Sequence, residues 1–195
     1  MNDDKPPWLE QELWRANTYQ LLAKLLTKPP CYRLIAQLGD IPPASLENQK
    51  DSVALAWCRL GEAARQHKET DLITEYDALF NENAGGLVPR ASYYLESLPS
   101  FKYLGLLRVE LAGLGIERNA EVLEDHAGFL CEIMCLLIEA EDPRQIGFFS
   151  RHLKSWLPLF FEDLRRLPVA DFYRPVGLLG EAFIEVERIL LRETY

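Results

Sequence analysis

The chain has 195 residues, 48% of them hydrophobic and 26% charged, with a formal net charge of −9. That length and balance describe one globular domain with a substantial core and exclude a disordered chain. The acidic excess excludes nucleic-acid binding through a broad basic surface and suits a cationic partner.

The first predicted helix covers Trp8–Leu26, with Tyr19, Leu22 and Leu26 at helical spacing, and Pro29-Pro30 end it. A short helix over Cys31–Leu38 is closed by Gly39. After the break at Pro42-Pro43, Ser45 with Gln49 marks a helix start that runs to about Gln66. Thr70 reads as the cap of a helix over Asp71–Phe80, with acidic residues in its first turn. Asn81–Ser100 holds two glycines and two prolines and reads as a long loop, a length often associated with function. Phe101, Leu104, Leu107, Leu111 and Leu114 define the next helix. Gly115 ends it, and Gly115–Glu121 reads as a polar connector and hinge.

Leu123–Glu141 is the predicted central helix. Leu123, His126, Leu130, Ile133, Met134 and Leu137 form its wide apolar face. Gly128, Cys131 and Cys135 form a strip of small residues where another backbone can approach. Asp125, Glu132 and Glu139 line up as an acidic stripe, with Phe129 and Leu136 almost on the same line. Asp142-Pro143 makes a turn. Phe149, Leu153, Trp156, Phe160 and Leu164 share one face of the following helix, with a kink or break expected at Pro158. The last helix covers Pro175–Glu193 on a stripe of Leu179, Ala182, Phe183, Val186 and Leu190. No segment alternates with period two and no repeat occurs. The expected fold is all-α, a single-domain bundle of about eight helices.

Motifs for catalysis are absent from the sequence. There is no phosphate-binding loop, no dinucleotide fingerprint and no nucleophile elbow. The three histidines, His67, His126 and His152, are scattered, and no Cys-x-x-Cys occurs, so no metal and no cofactor are expected. Cys31, Cys58, Cys131 and Cys135 are expected to be reduced, because the closest two lie four apart on one helix with diverging Cβ vectors. No apolar run reaches the roughly 18 residues of a membrane span. The start, Met-Asn-Asp-Asp-Lys-Pro-Pro-Trp, lacks the cationic and apolar regions of a secretory signal, so a cytoplasmic location is expected.

Three segments resemble one family. The first is Glu75-Tyr-Asp-Ala-Leu-Phe80 with Val88-Pro-Arg-Ala-Ser-Tyr-Tyr-Leu95 after a glycine loop. The second is Glu124-Asp-His126 with Leu130, Glu132 and Met134 downstream. The third is Phe149–Phe161 with Phe172-Tyr173 beyond it. Arg15, Tyr19, Leu22 and the Pro29-Pro30 stop also fit. Together they resemble the TorD/DmsD/NarJ type of redox-enzyme maturation chaperone over nearly the whole chain. The resemblance implies a cytoplasmic, all-helical chaperone and not an enzyme. Its expected partner is the apo catalytic subunit of a molybdopterin oxidoreductase, bound through its twin-arginine leader or its body until cofactor insertion. Proteins of molybdenum-cofactor biosynthesis are further expected partners, and the expected state is a monomer or a domain-swapped dimer.

By motif, the resemblance assigns peptide binding to Leu79, Phe80, Pro89, Ser92, Tyr94, Asp125 and His126. Tyr19, Arg90, Phe129 and Glu132 complete the expected site. Spacing alone makes His126 a core histidine, Asp125 a first-turn helix carboxylate, and Leu79 and Phe80 core residues at a helix end. The chain departs from many relatives in having Glu124 where they have Pro, and Arg90 where they have an aromatic residue. Arg90 favours the alternative: a non-catalytic adaptor of a membrane redox complex that does not bind a leader. A nucleotide-binding regulator or hydrolase is a third class, tested by phosphate release from GTP or ATP.

Overall fold

The computed structural model describes residues 7–45, 51–81, 85–95, 100–116 and 123–192. These form ten α-helices and no strand. They are α1 (Pro7–Thr27), α2 (Tyr32–Gly39), α3 (Ser52–Gln66), α4 (Glu69–Phe80), α5 (Ala91–Tyr94), α6 (Ser100–Gly113), α7 (Ala127–Glu139), α8 (Arg144–His152), α9 (Leu157–Arg166) and α10 (Tyr173–Leu190). Two more helices are present than the apolar stripes predict. One is α5, a single turn inside the expected loop. The other arises because the helix expected over Phe149–Leu164 is two, α8 and α9, joined by a turn at residues 153–156. Pro158 lies in the first turn of α9, where its missing N–H leaves no hydrogen bond unmade.

Several boundaries move because the cap differs from the expected one. Ser45 is not helical, and Gln49 lies outside the described residues. Asp51 caps α3 instead, its Oδ1 accepting from the N–H groups of Val53 (2.9 Å) and Ala54 (3.2 Å). Helix α4 begins before Thr70, and the Asp71 carboxylate accepts from the backbone N–H of Lys68 at 3.1 Å. The central helix begins at Ala127, not Leu123. Gly115 ends the α6 region with φ 75°, a conformation open to glycine, while residues 117–121 of the expected hinge lie outside the described residues.

The helices group into two compact units. The first holds α1, α5, α6, α7 and α8. Its core is α7 against α1: Leu130, Cys131, Met134 and Ile138 are buried with Tyr19, Leu22 and Leu26. The small-residue strip lets the two backbones approach. A Cβ on Gly128 would lie 2.4 Å from the Thr27 hydroxyl oxygen and 3.1 Å from the Ala23 carbonyl. A buried polar chain links α6 to α8. The Tyr103 hydroxyl donates to His152 Nδ1 (3.1 Å), and His152 Nε2 donates to Glu110 (2.9 Å). Burial disfavours the charged form of both rings, which keeps the phenol protonated and the imidazole neutral.

The second unit holds α2, α3, α4, α9 and α10. Its core packs α10 against α9 and α3, with Phe160, Phe161, Val176, Leu179 and Phe183 buried. Helix α10 has no cap of its own. The Glu75 carboxylate from α4 supplies one, accepting from the N–H groups of Asp171 (2.8 Å), Phe172 (3.1 Å) and Tyr173 (2.9 Å). Gly177 and Gly180 allow close packing on α9. A Cβ on Gly177 would meet the Phe161 carbonyl at 2.8 Å, and one on Gly180 the Phe161 ring at 2.5 Å. Nothing stands within 4 Å of a Cβ on Gly105 in α6.

Glycine-to-alanine changes should therefore differ in sign. Gly177→Ala and Gly180→Ala each destabilise by about 1–3 kcal/mol through overpacking. Gly105→Ala stabilises by about 0.5–1 kcal/mol, because it lowers unfolded-state entropy without a clash. Urea denaturation midpoints of the three variants check this.

Candidate functional site

The site is built where two short segments of the first unit meet. After Pro89 the backbone is extended, and Arg90 pairs with His126 in an isolated antiparallel bridge. The Asp125 carbonyl accepts from Ala91 N–H at 2.9 Å, and Asp125 Oδ2 accepts from Ser92 N–H at 3.1 Å. These are the first donors of α5, which would otherwise be unsatisfied, so Asp125 fixes that turn in place. Asp125 is 1% exposed, and its Oδ1 has no hydrogen-bond partner among the described residues. A buried carboxylate oxygen left unpaired is costly, and such exceptions in native proteins call for a reason.

His126 is the cap of α7 rather than a residue of its apolar face. Its Nδ1 accepts from Gly128 N–H at 3.1 Å, which requires an unprotonated Nδ1 and puts the ring proton on Nε2. Burial pushes its pKa down to about 4; the Asp125 carboxylate opposes this and Arg90 adds to it. Helical spacing misassigned His126 because residues 123, 126 and 130 match an apolar stripe that the turn at 124–125 interrupts. The same turn removes Asp125 from the acidic stripe, leaving Glu132 and Glu139 exposed on α7.

The other expected residues divide between the units. Arg90, Ser92, Asp125 and His126 come together as described. Tyr94 and Phe129, both half-buried, lie on α5 and α7 of the same unit, where Tyr94 stacks edge-on with the exposed Tyr93. Tyr19 is fully buried in the core of that unit. Leu79, Phe80 and Pro89 belong to the second unit. There Leu79 and Pro89 are buried, and Phe80 packs against Tyr76 and Tyr173 with ring centroids 4.7 and 5.6 Å away. Glu124, which opens the second resembling segment and departs there from many relatives, is also buried. It takes a forked contact from Arg108 (2.8 and 3.2 Å). A 16-residue separation with no motif gives that pair no local signal. Among the described residues, no group of three or more His, Cys, Asp or Glu is arranged to hold a metal.

The family profile described as the nitrate reductase delta subunit matches residues 46–162, more than half of the chain, and the chain belongs to that family. The matched span contains all the expected site residues except Tyr19. Among characterised relatives, the chain is 26% identical over 149 residues to the chaperone protein TorD of Vibrio cholerae serotype O1, strain ATCC 39315 / El Tor Inaba N16961. That match covers 67% of each chain. It is also 26% identical over 147 residues to the chaperone protein TorD of the Classical Ogawa 395 strain, covering 66% of each. This is a family of chaperones rather than catalysts, and the chain is not an enzyme.

The cap role of His126 gives stability a pH dependence. Its pKa is about 4 in the folded chain against 6.5 as the ordinary value, so the unfolded chain takes up the proton first as pH falls. The contribution, on the order of 3 kcal/mol at most, is complete above pH 6.5 and lost as pH falls through about 4. His126→Asn keeps a capping acceptor that does not titrate. Between pH 6.5 and 4.5 the wild-type urea midpoint should fall more steeply than that of His126→Asn; equal slopes would refute the role.

Proposed function

We propose that the chain is a cytoplasmic chaperone for the catalytic subunit of a molybdopterin oxidoreductase. It binds the apo-subunit through its twin-arginine leader, its body or both, and holds it until the cofactor is inserted, before export or membrane assembly. Membership of the family and its TorD relatives support the chaperone reading. The observation that carries peptide recognition is Asp125 Oδ1, a buried carboxylate oxygen without a hydrogen-bond partner among the described residues. A client arginine offers the charge-assisted donor it lacks.

Magnitudes divide the labour. A hydrogen bond to one charged carboxylate oxygen contributes roughly 1.5–3 kcal/mol, whereas a micromolar complex needs about −8 kcal/mol. Burying on the order of 400 Å² of a leader's apolar segment gives about 10 kcal/mol gross, before association costs are subtracted. The apolar segment then supplies most of the affinity, and Asp125 sets register. A second reading draws on the family's description as a reductase subunit. In it the chain is a stoichiometric adaptor that docks on a folded partner without binding a leader.

Affinity capture from anaerobically grown cells, read by mass spectrometry, separates the two. A molybdoenzyme catalytic subunit still carrying its leader supports the chaperone reading, and assembled redox subunits without a leader support the adaptor. With a leader peptide titrated by calorimetry, replacing the apolar segment with serines should abolish measurable binding. Asp125→Asn, which keeps the acceptor for Ser92, should weaken binding several-fold. Unchanged affinity on serine replacement would sink this division of labour.

A further inference from the structure

The second unit holds a cavity that the site above does not use. It lies between α3 and α10, which pack together in that unit's core. Its volume is about 340 Å³, within the roughly 300–1,000 Å³ of small-molecule sites. The floor is apolar. Leu55 and Ala56 supply it from α3, and Leu178 and Ala182 from α10; Ala56 is buried and the other three are half-buried. On α3 the same face runs from Ser52 to Arg59, both exposed at the rim. Two turns of helix make that wall about 10 Å long.

Three charged side chains stand around the cavity, and they differ in one respect. Glu181 is paired with Arg165 of α9, whose Nε donates to it at 2.6 Å. Glu185 is paired with Arg188, three residues further along α10. Arg59 has neither a hydrogen bond nor an ion pair among the described residues. The uncompensated charge here is therefore positive, in a chain whose formal net charge is −9.

That sign selects the occupant. A cationic ligand would meet Arg59, with both glutamates already paired. A second copy facing the cavity across a two-fold axis would set Arg59 near its own counterpart. A multiply charged anion would find one free cation above an apolar floor, and its remaining charge would be desolvated without a partner. One carboxylate on an aliphatic tail meets both requirements. The tail covers the floor, and the Arg59 guanidinium takes the carboxylate in its forked donor geometry. Asp51, which caps α3, puts a carboxylate beside Ser52 at the opposite end of that wall. The head therefore lies at Arg59 and the tail points toward Ser52.

We infer that the α3–α10 cavity is a binding site for a small amphiphilic monocarboxylate, with Arg59 as its anchor. This site goes beyond the chaperone reading and does not rest on it.

The probe is octanoate, titrated into the isotope-labelled full chain and followed by amide chemical shifts. Binding should be saturable, with a Kd on the order of millimolar, as suits a ligand of this size. The shifts should cluster at residues 52–59 and 178–185. Octylammonium, with a comparable tail and the opposite charge, and acetate, the same head without the tail, should each bind at least about tenfold more weakly. Arg59→Gln should weaken octanoate about fivefold, and Arg59→Glu should reverse the preference in favour of octylammonium. Because Arg59 is exposed and unpaired among the described residues, urea midpoints of both variants should stay close to wild type, which separates lost binding from lost folding. Octylammonium binding as tightly as octanoate, Arg59→Gln within about twofold of wild type, or shifts that avoid these two segments would each overturn the site. Client capture judges the chaperone reading separately, whichever way the titration falls.

Discussion

The first unit depends on what Asp125 does with both halves of its structure. Its carbonyl and one carboxylate oxygen hold the N–H groups of Ala91 and Ser92, more than thirty residues away in the chain. Without them the single turn of α5 has no reason to form, because an isolated turn fixes several dihedrals for one hydrogen bond. With them, α5 sits at the entry of α7, next to the residue that caps it. One side chain therefore locates the segment after Pro89, the start of α7 and an unpaired buried oxygen in a single place. Any account of recognition there must begin from a group whose structural duty uses only part of its hydrogen-bonding capacity.

Capping from a distance recurs in the second unit. Helix α10 begins at a cap residue with no side-chain acceptor, and the three N–H groups at its start all point to Glu75 on α4. The link joins elements almost a hundred residues apart and puts a negative charge at the positive end of a long helix. Where a cap is local, as with Asp51 on α3 or His126 on α7, it acts only on its own helix. Where it is remote, it is also a tertiary contact, so the helix forms as its neighbour packs.

This difference explains what could be read from the sequence. Apolar spacing revealed nearly every long helix and the small-residue strip on α7, because these follow from periodicity and volume, whereas only the proline signalled the break near Pro158. It misjudged starts wherever a turn mimicked a helical interval. His126 fell on an apolar stripe by spacing, yet it ends a turn and caps the helix that follows. The pairing of Asp125 with Ser92, of Glu124 with Arg108 and of Glu75 with α10 left no local trace, since each joins residues that only the fold brings together. Within the candidate site, motif resemblance selected Arg90, Ser92, Asp125 and His126. It also gathered Leu79, Phe80 and Pro89, which pack in the other compact unit.

Local rules fail at a few positions, and three of these are carboxylates. Asp125 keeps a buried oxygen unpaired among the described residues. Glu139 and Glu141 crowd the negative end of α7, and Glu141 takes φ 51°, a conformation that favours glycine. Each choice works against the stability of the isolated chain, by about 0.3–1 kcal/mol for a charge at the wrong helix end. Sequences that agree with their fold elsewhere and break its rules locally do so most often at functional positions. These three are carboxylates, in a chain whose net charge is already −9. Under the proposed chaperone function, a cationic client segment would relieve the charge and pairing strains at these carboxylates, whereas an apolar or anionic one would not.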